Sequence, residues 1–214
     1  MNEQMAAAAR AHLRRADARL AALIDRVGPY CPKLTRNPFL ALLGSIVHQQ
    51  VSMSAAATIY GRLCETCRDG RRRAAPTPNA ILAVSDVRLR AAGLSRQKVR
   101  YVRNIAEAFA ARRLTAARLR RMSDEEVIDA VTQLKGVGRW TAEMLLIFCL
   151  ERPDVWPVDD LGVRLAVAKL LGLPTTPAAR EIVTVAEAWR PYRSVATWYL
   201  WRSLERKEPP AVAT

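Results

Sequence analysis

The spacing of apolar residues constrains the fold of this chain more than any other feature of its sequence. Apolar side chains recur at intervals of three and four residues along the whole length, and no segment alternates convincingly in the manner of a strand. The pattern predicts an all-α protein of ten or so helices without a Pro/Ser-rich linker. Helices are predicted over about 4–27, 54–67, 78–84, 86–92, 95–112, 124–133, 160–171, 177–188 and 191–206. Two more are predicted to begin at Phe39 and at Arg139.

Charge and composition narrow the class of partner. The 214 residues are 50% hydrophobic, which suffices for a core without disulfide or metal staples. The formal net charge is +14, and arginine supplies all but five of the 34 basic residues. This excess indicates a polyanion partner, nucleic acid first, because guanidinium groups suit phosphate. A codon bias of the genome would also produce an arginine-rich composition.

The cysteines and the N-terminus indicate a soluble protein of a reducing compartment, expected in the cytoplasm with the nucleoid. Cys64 and Cys67 form a C-x-x-C pair, but no second pair follows at metal-ligand spacing, which favours a structural role. The first 20 residues lack the apolar stretch of a signal peptide. The longest strongly apolar run, 144–150, is too short to cross a bilayer.

A glycine-containing turn between two predicted helices is the sharpest local motif. In LKGVGRWTA, residues 134–142, Gly136 and Gly138 permit a tight hairpin and leave backbone N–H groups unshielded. Those amides and the N-terminus of the next helix form an anion site that fits a duplex phosphate without reading sequence. The alternative is an ordinary αα-hairpin that needs glycine for geometry alone.

Two adjacent carboxylates follow this hairpin. Asp159 and Asp160 lie after a proline and at the start of an apolar helix, where aspartate commonly serves as an N-cap. Because one cap is enough, we predict that Asp159 is the cap and that Asp160 lies in the first turn. The residues alone leave open whether either carboxylate is catalytic.

Four segments of the chain resemble the helix-hairpin-helix DNA glycosylases, most closely the 3-methyladenine DNA glycosylase II branch. They are SIVHQQVSMSAAA (45–57), LKGVGRWTAEMLL (134–146), WPVDDLGVR (156–164) and AWRPYRSVATWYLW (188–201), in family order. The resemblance implies a two-lobed fold with the active-site cleft between a helical bundle, about 39–112, and a hairpin lobe of 1–38 and 113–214. The N-terminal sheet domain of larger relatives is expected to be absent.

The resemblance assigns the chemistry to Asp160 and the reaction subtype to position 140. A fixed carboxylate stabilises the oxocarbenium character that develops on deoxyribose when an N-glycosidic bond breaks. It would also orient the attacking water. Relatives that cut the DNA backbone carry a lysine where this chain has Trp140, and an indole cannot form a Schiff base. We therefore expect a monofunctional enzyme that leaves an intact abasic site.

Base flipping requires a wedge and a pocket, and the resemblance implies residues for both. Gln50 stands at the wedge position with Gln49 beside it, and hydrogen bonding of these amides within the core is the alternative. The base pocket is expected to contain Trp140, Met144 and Trp201.

Two positions depart from the branch and leave the lesion range open. Met144 and Arg202 stand where larger relatives have tyrosines, and a thioether is smaller and softer than a phenol. These two positions predict a pocket that admits different lesions, either bulkier ones or alkylated pyrimidines. Trp189 and Trp198 fit the apolar faces of their helices and are predicted to lie in the core.

The resemblance also implies the partners of the protein. The substrate is double-stranded DNA with alkylated bases such as 3-methyladenine and 7-methylguanine, and the protein is expected to be a monomer. No cofactor is required, although Na+ or K+ is expected at the carbonyls of Thr132, Leu134 and Val137. The DNA-binding hairpin comprises Lys135, Gly136, Val137, Gly138, Arg139 and Thr141.

Two other functions remain open at this point. One is a helix-hairpin-helix duplex-binding protein without catalysis, in which Asp160 is only a cap. The other is a glycosylase for oxidised or mismatched bases, against which the absent catalytic lysine and the absent cysteine cluster both count.

Overall fold

A computed structural model describes residues 3–68 and 75–205, and these residues form thirteen α-helices and no strand. The predicted all-α class is confirmed. The helices are α1 (Glu3–Ala16), α2 (Ala18–Val27), α3 (Pro38–His48), α4 (Met53–Thr66), α5 (Pro78–Ala83), α6 (Asp86–Ala91), α7 (Arg96–Ala110), α8 (Ala116–Arg121), α9 (Asp124–Thr132), α10 (Arg139–Phe148), α11 (Leu161–Leu171), α12 (Ala179–Glu187) and α13 (Arg193–Leu204).

The chain divides into two compact units. The central unit runs from Leu34 to Leu150, and the terminal unit combines the residues up to Lys33 with those from Glu151 onward. This division differs from the predicted lobes, in which 113–150 accompanied the chain ends. The reason is packing, because α10 contacts α3 as well as α9, and Thr35 N–H donates to Phe148 O at 3.1 Å.

The central unit is organised around α7. This helix packs against α3, α5 and α6, and its buried face carries Val99, Val102 and Ile105 at helical spacing. Ser95 is the N-cap of this helix, and its hydroxyl accepts a hydrogen bond from Lys98 N–H.

The terminal unit is organised around α13, which packs against α1, α2 and α11. Trp189 and Tyr199 are fully buried, and Trp198 is 9% exposed. The prediction that Trp189 and Trp198 lie in the core is therefore confirmed. The Tyr199 hydroxyl donates to Gly28 O at 3.0 Å, which attaches α13 to the end of α2.

Three local features test the helix predictions. The predicted helix over 4–27 is wrong, because the Asp17 carboxylate accepts from the N–H groups of Arg19 and Leu20 and starts a second helix there. Helix α8, capped by Thr115, was not predicted. The predicted capping box at Ser123 is confirmed, with Glu126 as its reciprocal partner.

Within the described residues, no helix has both the length and the apolar content needed to span a bilayer.

Candidate active site

The turn between α9 and α10 requires glycine at one of its two glycine positions. Gly136 has φ +83°, and a Cβ atom placed on it would overlap the ring of Tyr101. Val137 N–H closes the turn on Leu134 O at 3.1 Å. Gly138 has φ −97°, and a Cβ atom there would meet nothing within 4 Å. Only Gly136 is therefore demanded by the local backbone and its packing.

Side chains from elsewhere in the central unit fix the backbone of this turn. The Asn104 carboxamide oxygen, on α7, accepts from Lys135 N–H at 2.8 Å. The Gln49 carboxamide, at the end of α3, donates to Gly136 O at 2.9 Å. Two peptide groups of the hairpin are thus oriented by residues 31 and 87 positions away. The sequence carries no local signal for either bond.

The hairpin leads into a helix N-terminus with the geometry of an anion site. Ala142 N–H makes the first bond of the helical ladder, to Gly138 O at 3.1 Å, and no side chain caps α10. The amides of residues 138–141 therefore precede that ladder. With the positive end of the helix dipole they favour a phosphate or carboxylate. Lys135 is exposed one residue before Gly136.

Three side chains of the predicted DNA-binding hairpin are paired or buried in the structure. Arg139 pairs with Glu125 at 2.7 Å and with the buried Glu143 at 3.3 Å, and its pKa is raised, chiefly by the hydrogen bond to Glu125. Its charge is already balanced by these two carboxylates. Val137 and Thr141 are each 5% exposed, so they can offer a ligand backbone groups but almost no side-chain surface.

The two adjacent glutamines also have different environments. The Gln49 carboxamide makes an internal hydrogen bond to Gly136 O, which is the alternative stated for this residue, and its place beside the wedge stays a prediction. Gln50 is exposed and has φ +56°, a left-handed conformation that is uncommon outside glycine. Lys98 Nζ donates to Val47 O at 2.8 Å just before this loop, and burial lowers the pKa of Lys98.

Two predicted pocket residues lie on one face of α10. Trp140 and Met144 are four positions apart, which places them one helical turn from each other. Trp140 is 48% exposed and Met144 is partly buried. Stacking on a planar ligand uses the face of an indole, and part of the Trp140 surface is exposed.

In the terminal unit, the helix cap is Asp160 and not Asp159 as predicted. Helix α11 begins at Leu161, one residue later than predicted, because Asp160 N–H closes a turn on Pro157 O at 3.1 Å. Asp160 Oδ1 then accepts from Val163 N–H at 2.7 Å. The same oxygen accepts from Trp201 Nε1–H at 2.9 Å. Asp160 is thus both the N-cap and the carboxylate that meets a predicted pocket residue.

The loop that carries Asp160 is anchored to the start of α13. Arg193 Nε donates to Asp154 Oδ1 at 2.8 Å, and its Nη2 donates to Oδ2 at 3.0 Å. The Ser194 hydroxyl donates to Arg152 O at 2.7 Å and accepts from Val155 N–H at 2.9 Å. No local sequence signal marks Asp154, Arg193 or Ser194 as part of the site, because their bonds join residues about 40 positions apart.

Two further predictions concern Arg202 and the hairpin carbonyls that are expected to hold a cation. Arg202 lies over the Trp198 ring, 5.6 Å from its centroid, and pairs with Glu205. Among the described residues, no group of three or more His, Cys, Asp or Glu side chains could hold a metal ion. A cation at the hairpin would depend on carbonyl oxygens, which suit Na+ or K+, and Leu134 O already accepts from Val137 N–H.

Known proteins are similar to this protein over most of the chain. DNA-3-methyladenine glycosylase 1 of Schizosaccharomyces pombe is 36% identical over 196 residues, covering 90% of this chain and 85% of that protein. The alkylbase DNA glycosidase-like protein mag2 of the same organism is 31% identical, covering 92% and 93%.

Solved structures give the same result. The S. pombe 3-methyladenine DNA glycosylase in complex with abasic DNA superposes with a TM-score of 0.79 at 36% identity, covering 91% of this chain and 95% of that chain. DNA-3-methyladenine glycosidase of Bacillus halodurans gives 0.80 at 35% identity, covering 89% and 86%. The model of the HhH-GPD superfamily base excision DNA repair proteins matches residues 43–191. As the helix-hairpin-helix motif, the two-lobed helical fold and these relatives agree, the chain belongs to the HhH-GPD superfamily of base excision DNA repair proteins.

Proposed function

We propose that this protein is a monofunctional DNA glycosylase that removes alkylated bases, such as 3-methyladenine and 7-methylguanine, from duplex DNA and leaves an abasic site. The observation that carries the proposal is the Asp160 carboxylate, fixed by Val163 N–H and Trp201 Nε1–H. It is supported by 36% identity to a DNA-3-methyladenine glycosylase over 90% of the chain.

One carboxylate is sufficient for this chemistry. The sugar gains oxocarbenium character as the N-glycosidic bond breaks, and Asp160 stabilises that charge and orients the water. An alkylated purine is cationic before it leaves, so a strong general acid is unnecessary. Trp140 stands where a lyase would need an amine, and the ring nitrogen of indole is not a nucleophile.

DNA binding is assigned to backbone groups more than to side chains. The amides at the start of α10 bind a phosphate, with Lys135 adding charge beside them. Gln50, exposed and left-handed, fills the gap left by the flipped nucleotide. Trp140, Met144 and Trp201 are the residues proposed to contact the flipped base, and a cationic base would gain on the order of 1–2 kcal/mol from stacking on indole.

The remaining parts of the proposal concern ions and assembly. A monovalent cation at the carbonyls of Thr132, Leu134 and Val137 would add a positive charge next to the bound phosphate. The protein acts as a monomer on nucleoid DNA. Met144 and Arg202 stand where larger relatives have tyrosines, so the lesion range is expected to differ from theirs.

The decisive test replaces Asp160 by asparagine. Methylated duplex DNA is incubated with the protein and the freed bases are identified by chromatography. The wild type is expected to release alkylated bases, and Asp160→Asn to lose about 100-fold or more, as when a charge-stabilising group is removed. Asparagine keeps the cap acceptor, so duplex affinity should persist. Equal release by the two proteins, or no release from any alkylated substrate, would refute the proposal.

A second assay tests the absence of lyase activity. The product strand should remain intact until it is treated with alkali, and borohydride should trap no protein–DNA adduct. Strand cleavage before alkali treatment would contradict the monofunctional assignment while leaving base release unaffected.

A further inference from the structure

The indole of Trp201 meets Asp160 through its polar edge. Nε1–H donates to Oδ1 at 2.9 Å, and the bond joins residues 41 positions apart. The same oxygen accepts from Val163 N–H at 2.7 Å. Two donors of different origin, one from the backbone of α11 and one from the side chain of α13, therefore converge on a single carboxylate oxygen.

Gly162 makes room for this pair. A Cβ atom on Gly162 would lie 3.0 Å from Asp160 Oδ1 and 3.2 Å from Trp201 Cδ1. It would lie 3.3 Å from Trp201 Nε1 as well. Gly162 is inside α11, where alanine is the better helix former, so the helix itself does not require a glycine at this position. The close approach of the indole to the carboxylate does.

We propose that Trp201 is a positioning residue for the reaction, that its N–H fixes the Asp160 carboxylate in the reactive orientation, and that Gly162 is required because any larger residue would separate the two. The inference rests on the proposed function, in which Asp160 stabilises the developing charge. It gives Trp201 a role distinct from stacking, since stacking uses the face of the ring and positioning uses its edge.

The physical reason is preorganisation. A capping bond alone fixes one oxygen near the helix end and leaves the plane of the carboxylate free to rotate about that bond. A second donor on the same oxygen removes that freedom before substrate binds. Electrostatic stabilisation is most effective when the charged group is already held in its reactive orientation.

The donor itself is held rigidly. Helix α13 is joined to the loop before Asp160 through Arg193 and Asp154, at 2.8 Å. It is joined to α11 through Lys169 Nζ, which donates to Ser203 O at 3.0 Å. The Trp201 indole is therefore attached to a helix that contacts both the loop leading to Asp160 and the helix that Asp160 begins.

The test separates the edge of the indole from its face. Trp201→Phe keeps an aromatic face and removes the donor. The single-turnover rate is measured on a duplex with one 7-methylguanine, and affinity on a duplex with an abasic analogue, which has no base to stack. We expect the rate to fall about 10- to 100-fold, the range for a lost hydrogen bond to a charged group. The affinity should stay within about twofold of the wild type, inside the scatter of a non-contributing contact.

Trp189→Phe is the matched control. Trp189 is fully buried in the same unit and its Nε1 has no hydrogen-bond partner, so the same substitution removes no bond there. Its single-turnover rate should equal that of the wild type even if its melting temperature falls. Gly162→Ala should lower the rate as Trp201→Phe does without lowering the melting temperature.

The double variant tests whether Gly162 and Trp201 act through the same bond. Trp201→Phe with Gly162→Ala should be little slower than either single variant, because the bond can be lost only once. A multiplicative loss would overturn the role given to Gly162. If Trp201→Phe keeps the wild-type rate while Asp160→Asn abolishes base release, the inference fails and the proposed function survives. Full base release by Asp160→Asn would refute both the inference and the proposed function.

Discussion

The hairpin of the central unit and the Asp160 loop of the terminal unit are built by opposite means. In the hairpin, side chains such as Asn104 and Gln49 hold backbone groups, and the backbone is what a ligand would meet. In the loop, backbone and indole N–H groups hold one carboxylate, and that side chain is what a ligand would meet. The hairpin should therefore be sensitive to changes in its supports and its glycine, and the loop to one acidic side chain and its anchors.

The largest effect on stability is expected at Gly136. Gly136→Ala forces a Cβ atom into the Tyr101 ring at φ +83°. Left-handed backbone and overpacking together should lower the free energy of unfolding by about 2–4 kcal/mol. Denaturant unfolding measures the loss, and duplex affinity should fall with it because the amides of the hairpin move.

Gly138→Ala is the control within the same turn. A Cβ atom at Gly138 meets nothing within 4 Å, so stability should change far less than at Gly136. Loss of duplex affinity with normal stability would mean that the Cβ atom blocks the approach of the phosphate. Equal destabilisation of the two variants would contradict the distinction between the two glycines.

The anchor of the Asp160 loop should give the next largest effect. Arg193 is 12% exposed and forms a bidentate salt bridge with Asp154. Arg193→Met should lower the free energy of unfolding by about 2 kcal/mol, less than for a fully buried pair because Asp154 is partly hydrated. The single-turnover rate should fall as well, since the loop positions Asp160.

Arg190→Met tests whether burial makes the difference. Arg190 pairs with the same Asp154 at 3.0 Å, but its side chain is 49% exposed. An exposed pair contributes about 0–1 kcal/mol, so stability and rate should stay close to those of the wild type. Equal losses for Arg190→Met and Arg193→Met would show that the loop is not held by the buried pair.

These anchors mark the limit of what the sequence could reveal. The helical class, the capping box at Ser123 and the glycine turn depend on neighbours in the chain, and the sequence predicts them. Asp17 splits a helix because a local side-chain bond outweighs a continuous amphipathic pattern. Asp160 caps α11 because the preceding turn ends on it, which residue types alone do not decide.

The bonds that orient the site were not predictable in the same way. Lys135 N–H to Asn104 joins residues 31 apart, and Trp201 to Asp160 joins residues 41 apart. Polar residues of these types also occur on solvent-exposed surfaces. Their hydrogen-bond partners are therefore known only from the packing of the helices. The resemblance supplied Asp160 and Trp201 as site residues but not the bond between them.

A moderate effect is expected at Asn104. Asn104→Leu keeps the size of the side chain and removes the acceptor for Lys135 N–H, which should cost about 1 kcal/mol of stability. Duplex affinity should fall several-fold because the hairpin backbone loses one of its supports. Asn104→Asp keeps an acceptor and should recover the stability. If neither variant alters duplex affinity, the hairpin does not depend on this support.

The smallest effect separates two basic residues that adjoin the same turn. Lys135 is exposed, whereas Arg139 is paired with Glu125 and the buried Glu143. Lys135→Gln should reduce the slope of log Kobs against log salt by about 1, the amount for one phosphate contact, with stability unchanged. Arg139→Gln should leave that slope nearly unchanged and lower stability, because the ion pair with the buried Glu143 is lost. Base preference should not change in either variant, as phosphate contacts carry no sequence information. If the two substitutions reduce the slope equally, the Arg139 side chain also contacts DNA, and the hairpin does not act through its backbone and Lys135 alone.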